Sequence, residues 1–233
     1  MTRSIAIRPI RSALFVPGSR PRAIEKAAGL KADMLILDLE DAAGPDEKAE
    51  ARTRVSGALS SWADCGTVRA VRVNAIGTGL EAGDIAAALA ADAIVLPKVE
   101  RVDDVQAARR LAPDGPPFWA MIETPGALFQ LREIGEAAGD LGLAGLIAGT
   151  NDLAKAMKTT GRAALVPHLA QIVAAARGHG LIPLDGVFNA YQDADGFAAE
   201  AAEGKAFGFA GKTLIHPSQV AGANAAFGPS AEE

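Results

Sequence analysis

Residues 117–128 read PFWAMIETPGAL. An apolar run of strand length ends on a carboxylate, Glu123, and then breaks at Thr-Pro-Gly. Burying a carboxylate without a partner costs several kcal/mol. Glu123 therefore either pairs with a buried base or faces a cleft where something positive is bound. The run decides the fold because it recurs. Comparable runs are SALFVPG (12–18), DMLILDL (33–39), VRAVRVN (68–74), DAIVLPKV (92–99), LAGLIAGT (143–150), LIPLDGVF (181–188) and AFGFAGKT (206–213). Ala-rich amphipathic stretches lie between them, as at 46–60, 101–111, 163–178 and 193–203, and a last helix is expected over 218–226. Most of the runs are apolar throughout, as parallel strands covered on both faces require. Eight strand–helix units predict a single (β/α)8 TIM barrel, one domain over 1–233, with a basic segment at 1–11 and a polar tail at 228–233. An open doubly wound sheet is the competing architecture, but GTGLEAG (77–83) spaces its glycines wrongly for a dinucleotide fingerprint and reads as a turn.

Composition narrows the function. No apolar run reaches the ~18–20 residues that span a bilayer, and MTRSIAIRPIRS lacks the apolar core of a secretory signal. The single Cys65 excludes an internal disulfide and suits a reducing compartment, so the expected location is cytoplasmic. A net charge of −5 argues against nucleic acid or an anionic membrane as partner. Residues 1–31 nevertheless hold seven bases against one acid, either a solvated basic end or a local site for a small polyanion.

Barrel chemistry sits at the C-terminal ends of the strands. Here those ends carry Asp38, Glu40, Asp41, Arg72, Lys98, Glu123, Asp152, Asp185 and Lys212. The three histidines are scattered, which disfavours zinc. Carboxylates with open water positions suit Mg²⁺, with Mn²⁺ as the alternative. Glu123 and Asp152 end neighbouring strands and are placed to share one ion; otherwise Glu123 pairs with Lys98 or Arg72, and Asp152 caps the helix at NDLAKAM. In LDLEDA (37–42), Glu40 and Asp41 either orient metal-bound water or belong to a helix start whose cap is Asp46. Arg72 presents a fork for a carboxylate, or a salt bridge to one of those acids. Gly18, Arg20 and Arg22 sit at a turn opening a helix, which suits phosphates.

The stretches RSALFVPGSRPRAIEKA (11–27), ADMLILDLEDA (32–42), VRVNAIGTGLEAGDI (71–85), IVLPKVE (94–100), MIETPGAL (121–128), IAGTNDLA (147–154) and GKTLIHPSQV (211–220) together resemble the citrate lyase β-subunit-like branch of the HpcH/HpaI aldolase family. The resemblance runs from about residue 11 to about residue 227. It implies a Mg²⁺-dependent carbon–carbon lyase that splits a citryl-, malyl- or citramalyl-type thioester into an acetyl thioester and a 2-oxo acid. The acyl carrier is CoA or an acyl carrier protein. By the same resemblance Glu123 and Asp152 are the metal ligands, Arg72 grips the oxo-acid carboxylate, and Glu40 and Asp41 form the acidic pair around the metal's water. Arg20, Arg22 and Lys26 lie where the CoA phosphates dock. Relatives continue into a C-terminal lid after the HPSQ helix, whereas this sequence stops at FGPSAEE, and the general acid and base stay unassigned. The resemblance further implies a homo-oligomer, a trimer or a multiple of it, with the apolar face of 218–226 at the subunit contact. Three alternatives stand beside the lyase: a subunit acting mainly within a citrate lyase-like complex, a thioesterase on the same ligands, and a Schiff-base aldolase using Lys98 or Lys212.

Overall fold

The structure is a computed structural model and describes residues 9–62 and 65–229; positions 1–8 of the basic segment and 230–233 of the polar tail lie outside the described residues. Eight parallel strands close into a barrel: β1 (Ser12–Pro17), β2 (Met34–Asp38), β3 (Val68–Arg72), β4 (Ala93–Leu96), β5 (Phe118–Ile122), β6 (Leu143–Ala148), β7 (Ile182–Asp185) and β8 (Gly211–Leu214). Each pairs with the next, and β8 returns to β1 with Ser12 opposite Lys212. Around them run α1 (Pro21–Ala27), α2 (Lys48–Ser61), α3 (Glu81–Ala88) and α4 (Val102–Leu111). Three short helices follow β5, namely α5 (Pro125–Phe129), α6 (Leu131–Glu136) and α7 (Ala138–Leu141). The circuit ends with α8 (Thr150–Met157), α9 (Val166–Gly178), α10 (Ala194–Ala206) and α11 (Val220–Ala226).

Side chains alternate across a strand, so one strand feeds two cores. Leu35, Leu37, Val71, Ile94, Leu96 and Ile122 pack outward under the helices. Met34, Ile36, Ala70, Val95, Trp119, Met121, Ile147 and Leu184 fill the barrel itself. Each of the larger aliphatic side chains contributes about 1.5–3 kcal/mol when fully buried, which is why the strands tolerate so few polar residues. The same alternation sorts the charged strand ends. Asp38, Arg72 and Glu123 continue the inward phase set by Ile36, Ala70 and Met121. Asp185 and Lys212 continue the outward phase.

Three expectations need correction. Residues 206–210 are not strand: α10 runs to Ala206, Gly208 turns the chain with φ +97°, and β8 begins only at Gly211. The apolar AFGFA run is helix end plus turn, with Phe209 in the core. Asp46 caps nothing; the Glu47 carboxylate accepts the Gly44 amide (3.2 Å) ahead of α2. Finally, the apolar face of α11 is spent inside the chain, where Val220, Ala223 and Phe227 join the outer core. It is not left over for a subunit contact. Among the described residues no helix is long and apolar enough to cross a membrane.

Candidate active site

A cavity of about 310 Å³ opens at the C-terminal ends of the strands, with Phe15, Asp38, Asp41, Arg72, Glu123, Gly149 and Asp152 in its wall. Glu123 leaves β5 in the inward phase. The next residue, Thr124, ends the strand by accepting the Ala127 amide (3.3 Å) and starting α5. Glu123 is only 3% exposed. Its Oε1 accepts the backbone N–H of Lys98 (2.6 Å), but the Lys98 ammonium goes to Glu40 instead, and no cationic side chain pairs with Glu123 among the described residues. Burial pushes the Glu123 carboxyl up to about 7; the Lys98 amide opposes the rise, and the nearby Glu40 and Asp152 charges add to it.

Asp152 lies in the first turn of α8 but caps no amide, since the cap position is Gly149 and no side chain fills that role. Gly149 has a different task. A side chain there would collide with Glu123 Cβ and stand 2.5 Å from Glu123 Oε2, so glycine lets the end of β6 approach the carboxylate.

Arg72 is both things the sequence left open, a cavity wall and a buried ion-pair centre. Asp38 takes its fork (Nε–Oδ1 2.8 Å, Nη2–Oδ2 2.7 Å), Glu40 meets Nη1 at 2.9 Å, and Asp41 meets Nη2 at 3.1 Å. The guanidinium also lies over the Phe15 ring, 4.8 Å from its centre. Burial works against the Arg72 charge, but these three acids raise its pKa above the ordinary value. The sequence reading counts Asp38 among the charged strand ends but gives it no role in the site. Its signal was the inward phase of Met34-Ile36-Asp38.

Glu40 and Asp41 part company. Glu40 is buried beneath the cavity and held by Arg72 and by Lys98 (Nζ–Oε1 2.6 Å). Burial raises its carboxyl pKa, with those two cations opposing. Lys48 braces the same loop, its ammonium donating to the carbonyls of Leu39 (2.7 Å) and Glu40 (2.6 Å) and to Asn74 Oδ1 (2.9 Å). The Asp41 side chain is 66% exposed and lines the cavity.

The two lysines considered for a Schiff base are poorly placed for one. Lys212 is fully buried outside the barrel, against Asp185 (2.8 Å) and Glu200 (2.7 Å). Lys98 is held in its charged form by Glu40. Its backbone has φ +50°, a left-handed conformation that costs a residue with a Cβ roughly 1–2 kcal/mol. Arg20 stands at the cap position of α1, with Arg22 and Lys26 on the helix itself. All three are exposed, on the element that follows Phe15 of the cavity wall.

The charges around the cavity do not balance. Among the described residues, the side-chain ion pairs of Asp38, Glu40, Asp41, Glu123 and Asp152 go to Arg72 and Lys98 alone. Glu123 and Asp152 are the two acids outside the ion-pair cluster, which suits a hard divalent cation. No array of three or more His, Cys, Asp or Glu with ligating geometry occurs among the described residues. A cation bound here would take two protein ligands and leave its other positions to water or substrate, the habit of Mg²⁺.

The profile of the HpcH/HpaI aldolase/citrate lyase family matches residues 11–217. The chain belongs to this family. Within the family it is 47% identical over 231 residues to a (3S)-malyl-CoA thioesterase of Cereibacter sphaeroides, covering 97% of this chain and 79% of that one. It is 34% identical to an L-malyl-CoA/β-methylmalyl-CoA lyase of the same organism, over 96% of this chain and 80% of the other. Among solved structures, the citrate lyase β subunit of M. tuberculosis complexed with oxaloacetate and magnesium superposes with a TM-score of 0.80. That pair is 31% identical, with 96% of this chain and 98% of the other covered.

Proposed function

We propose that this family member acts on a malyl-CoA-type 3-hydroxyacyl thioester with Mg²⁺ held by Glu123 and Asp152, and that it hydrolyses the thioester. The observation that carries the substrate class is the juxtaposition of two carboxylates without cationic side-chain partners and a buried arginine in one cavity. One end of such a site takes a metal; the other takes a carboxylate. What the ion supplies when bound is Lewis acidity toward the hydroxy-acid oxygens of the substrate.

The chain's own residues do the rest. Arg72 has five N–H donors: Asp38 and Asp41 accept from three of them, and Glu40 stands beside Nη1 as an ion-pair partner at 2.9 Å. A substrate carboxylate takes an Nη1 hydrogen and competes with the exposed Asp41 for Nη2. Asp38 keeps the guanidinium plane fixed meanwhile, so the carboxylate meets a preorganised donor. Asp41, once displaced, is a free carboxylate in the cavity wall and serves as the base that takes a proton from the attacking water. Water adds to the thioester carbon, the C–S bond breaks, and the thiolate leaves to be protonated. Arg20, Arg22 and Lys26 hold the phosphates of the CoA moiety outside the mouth.

Hydrolysis is preferred because the thioesterase relative stands at 47% identity and the lyase relative at 34%. The second reading, carbon–carbon cleavage, is favoured by the family and by the same metal-and-arginine geometry. One assay separates them. With (3S)-malyl-CoA and Mg²⁺, hydrolysis yields malate and a free thiol, while cleavage yields glyoxylate and acetyl-CoA with no thiol. Thiol release without glyoxylate is the expected result. Glyoxylate without thiol would establish the lyase, and neither product would remove this substrate class.

A further inference from the structure

Among the described residues two non-glycine residues have positive φ, Lys98 (+50°) and Lys158 (+56°). Lys158 has an ordinary reason: it ends α8, with its amide on the last carbonyls of the helix. Lys98 ends no helix. It follows β4 and Pro97, and its N–H leaves the turn to reach the Glu123 carboxylate at 2.6 Å. Its ammonium reaches Glu40, also at 2.6 Å. The φ angle sets the direction of a residue's N–H relative to its side chain. A left-handed value at 98 is thus what lets one residue's two donors meet acids that follow different strands.

We infer that Lys98 is a positioning residue, whose left-handed backbone aims its amide at Glu123 and so fixes that carboxylate in the orientation that holds the metal ion. The ammonium serves Glu40. The inference rests on the magnesium reading proposed above, and it makes the backbone preference at 98, rather than its charge, the property that matters for the ion.

Three substitutions separate the two. Lys98→Gly removes the charge and enters the left-handed region freely. Lys98→Met removes the charge and leaves the backbone preference nearly unchanged. Lys98→Val removes the charge and resists positive φ through its branched Cβ. Titration calorimetry with Mg²⁺ should give Kd values within about threefold of wild type for the Gly and Met variants, and at least about tenfold weaker binding for Val. Equal affinities in Gly and Val, with the wild type binding, overturn the inference alone; so does an equal weakening in all three, which would mark a charge effect. A wild type that binds no Mg²⁺ overturns the metal reading and the inference together. A measurement without metal guards against a Val variant that fails to fold. The residue 98 amide should exchange slowly with deuterium in the wild type and faster in Glu123→Ala. Rapid exchange in the wild type overturns the inference.

Discussion

Asp38 and Arg72 end neighbouring strands and meet fork to fork, at 2.8 and 2.7 Å, so the arginine that faces the cavity is aimed by an acid from the strand beside it. A lysine at 72 would be a point charge with no plane to aim. Arg72→Lys should weaken inhibition by glyoxylate, pyruvate or oxaloacetate by about 10–100-fold, the value of about one charge-assisted hydrogen bond. CoA affinity should stay put. Equal inhibition of variant and wild type by these oxo acids would make Arg72 a structural ion pair only.

Glu123 and Asp152 carry the metal reading. Glu123→Gln and Asp152→Asn keep shape and remove charge. Each should reduce Mg²⁺ affinity by more than about 100-fold, since even groups that only orient a metal's ligands are worth 10–100-fold. Wild-type protein should melt at a higher temperature with Mg²⁺ than with EDTA, and both variants should lose the difference. Calorimetry giving wild-type Mg²⁺ affinity in both would end the assignment.

The exposed trio on α1 is tested by charge. Arg20→Glu combined with Arg22→Glu should weaken CoA binding and flatten its dependence on salt, because exposed charges act through a screened field. Malate or oxo-acid binding should not change. Unaltered CoA affinity would leave these bases as a solvated surface.

The barrel was legible because eight apolar runs separated by helical stretches leave little choice of architecture. Where it was misread, the cause is physical. In AFGFA a helix end and a turn bury Phe209 as deeply as a strand would, so hydropathy alone placed β8 too early. The acids were harder. Reading strand ends as a set gathered Asp185 and Lys212 with Glu123, although the period-two pleat sends them to the opposite side of the sheet. The same pleat singles out Asp38. Glu40 and Asp41 lie beyond β2, where no period applies, and only the folded loop distinguishes the buried acid from the exposed one. The left-handed backbone of Lys98 left no trace in the sequence, since lysine is not the residue such a conformation predicts.

That outward phase makes the last prediction. Lys212 is fully buried with Asp185 at 2.8 Å and Glu200 at 2.7 Å, and Arg162 joins Asp185 at 3.0 Å from the other side. The cluster locks α10 and the residues before α9 to the barrel wall, away from the cavity. Removing Lys212 leaves Asp185 and Glu200 to share Arg162 and short of one buried cation, at a cost of roughly 3–5 kcal/mol. Lys212→Met should therefore lower the melting temperature by about 10 °C, given ~2–4 °C per kcal/mol for a chain of this size. Removing the acid as well relieves the imbalance, so Asp185→Asn/Lys212→Met should be more stable than the two single losses added together. Turnover per folded molecule should match wild type in each. A Lys212→Met protein with wild-type stability and no turnover, or a borohydride-trapped adduct of a 2-oxo acid on Lys212, would instead place this lysine in the chemistry.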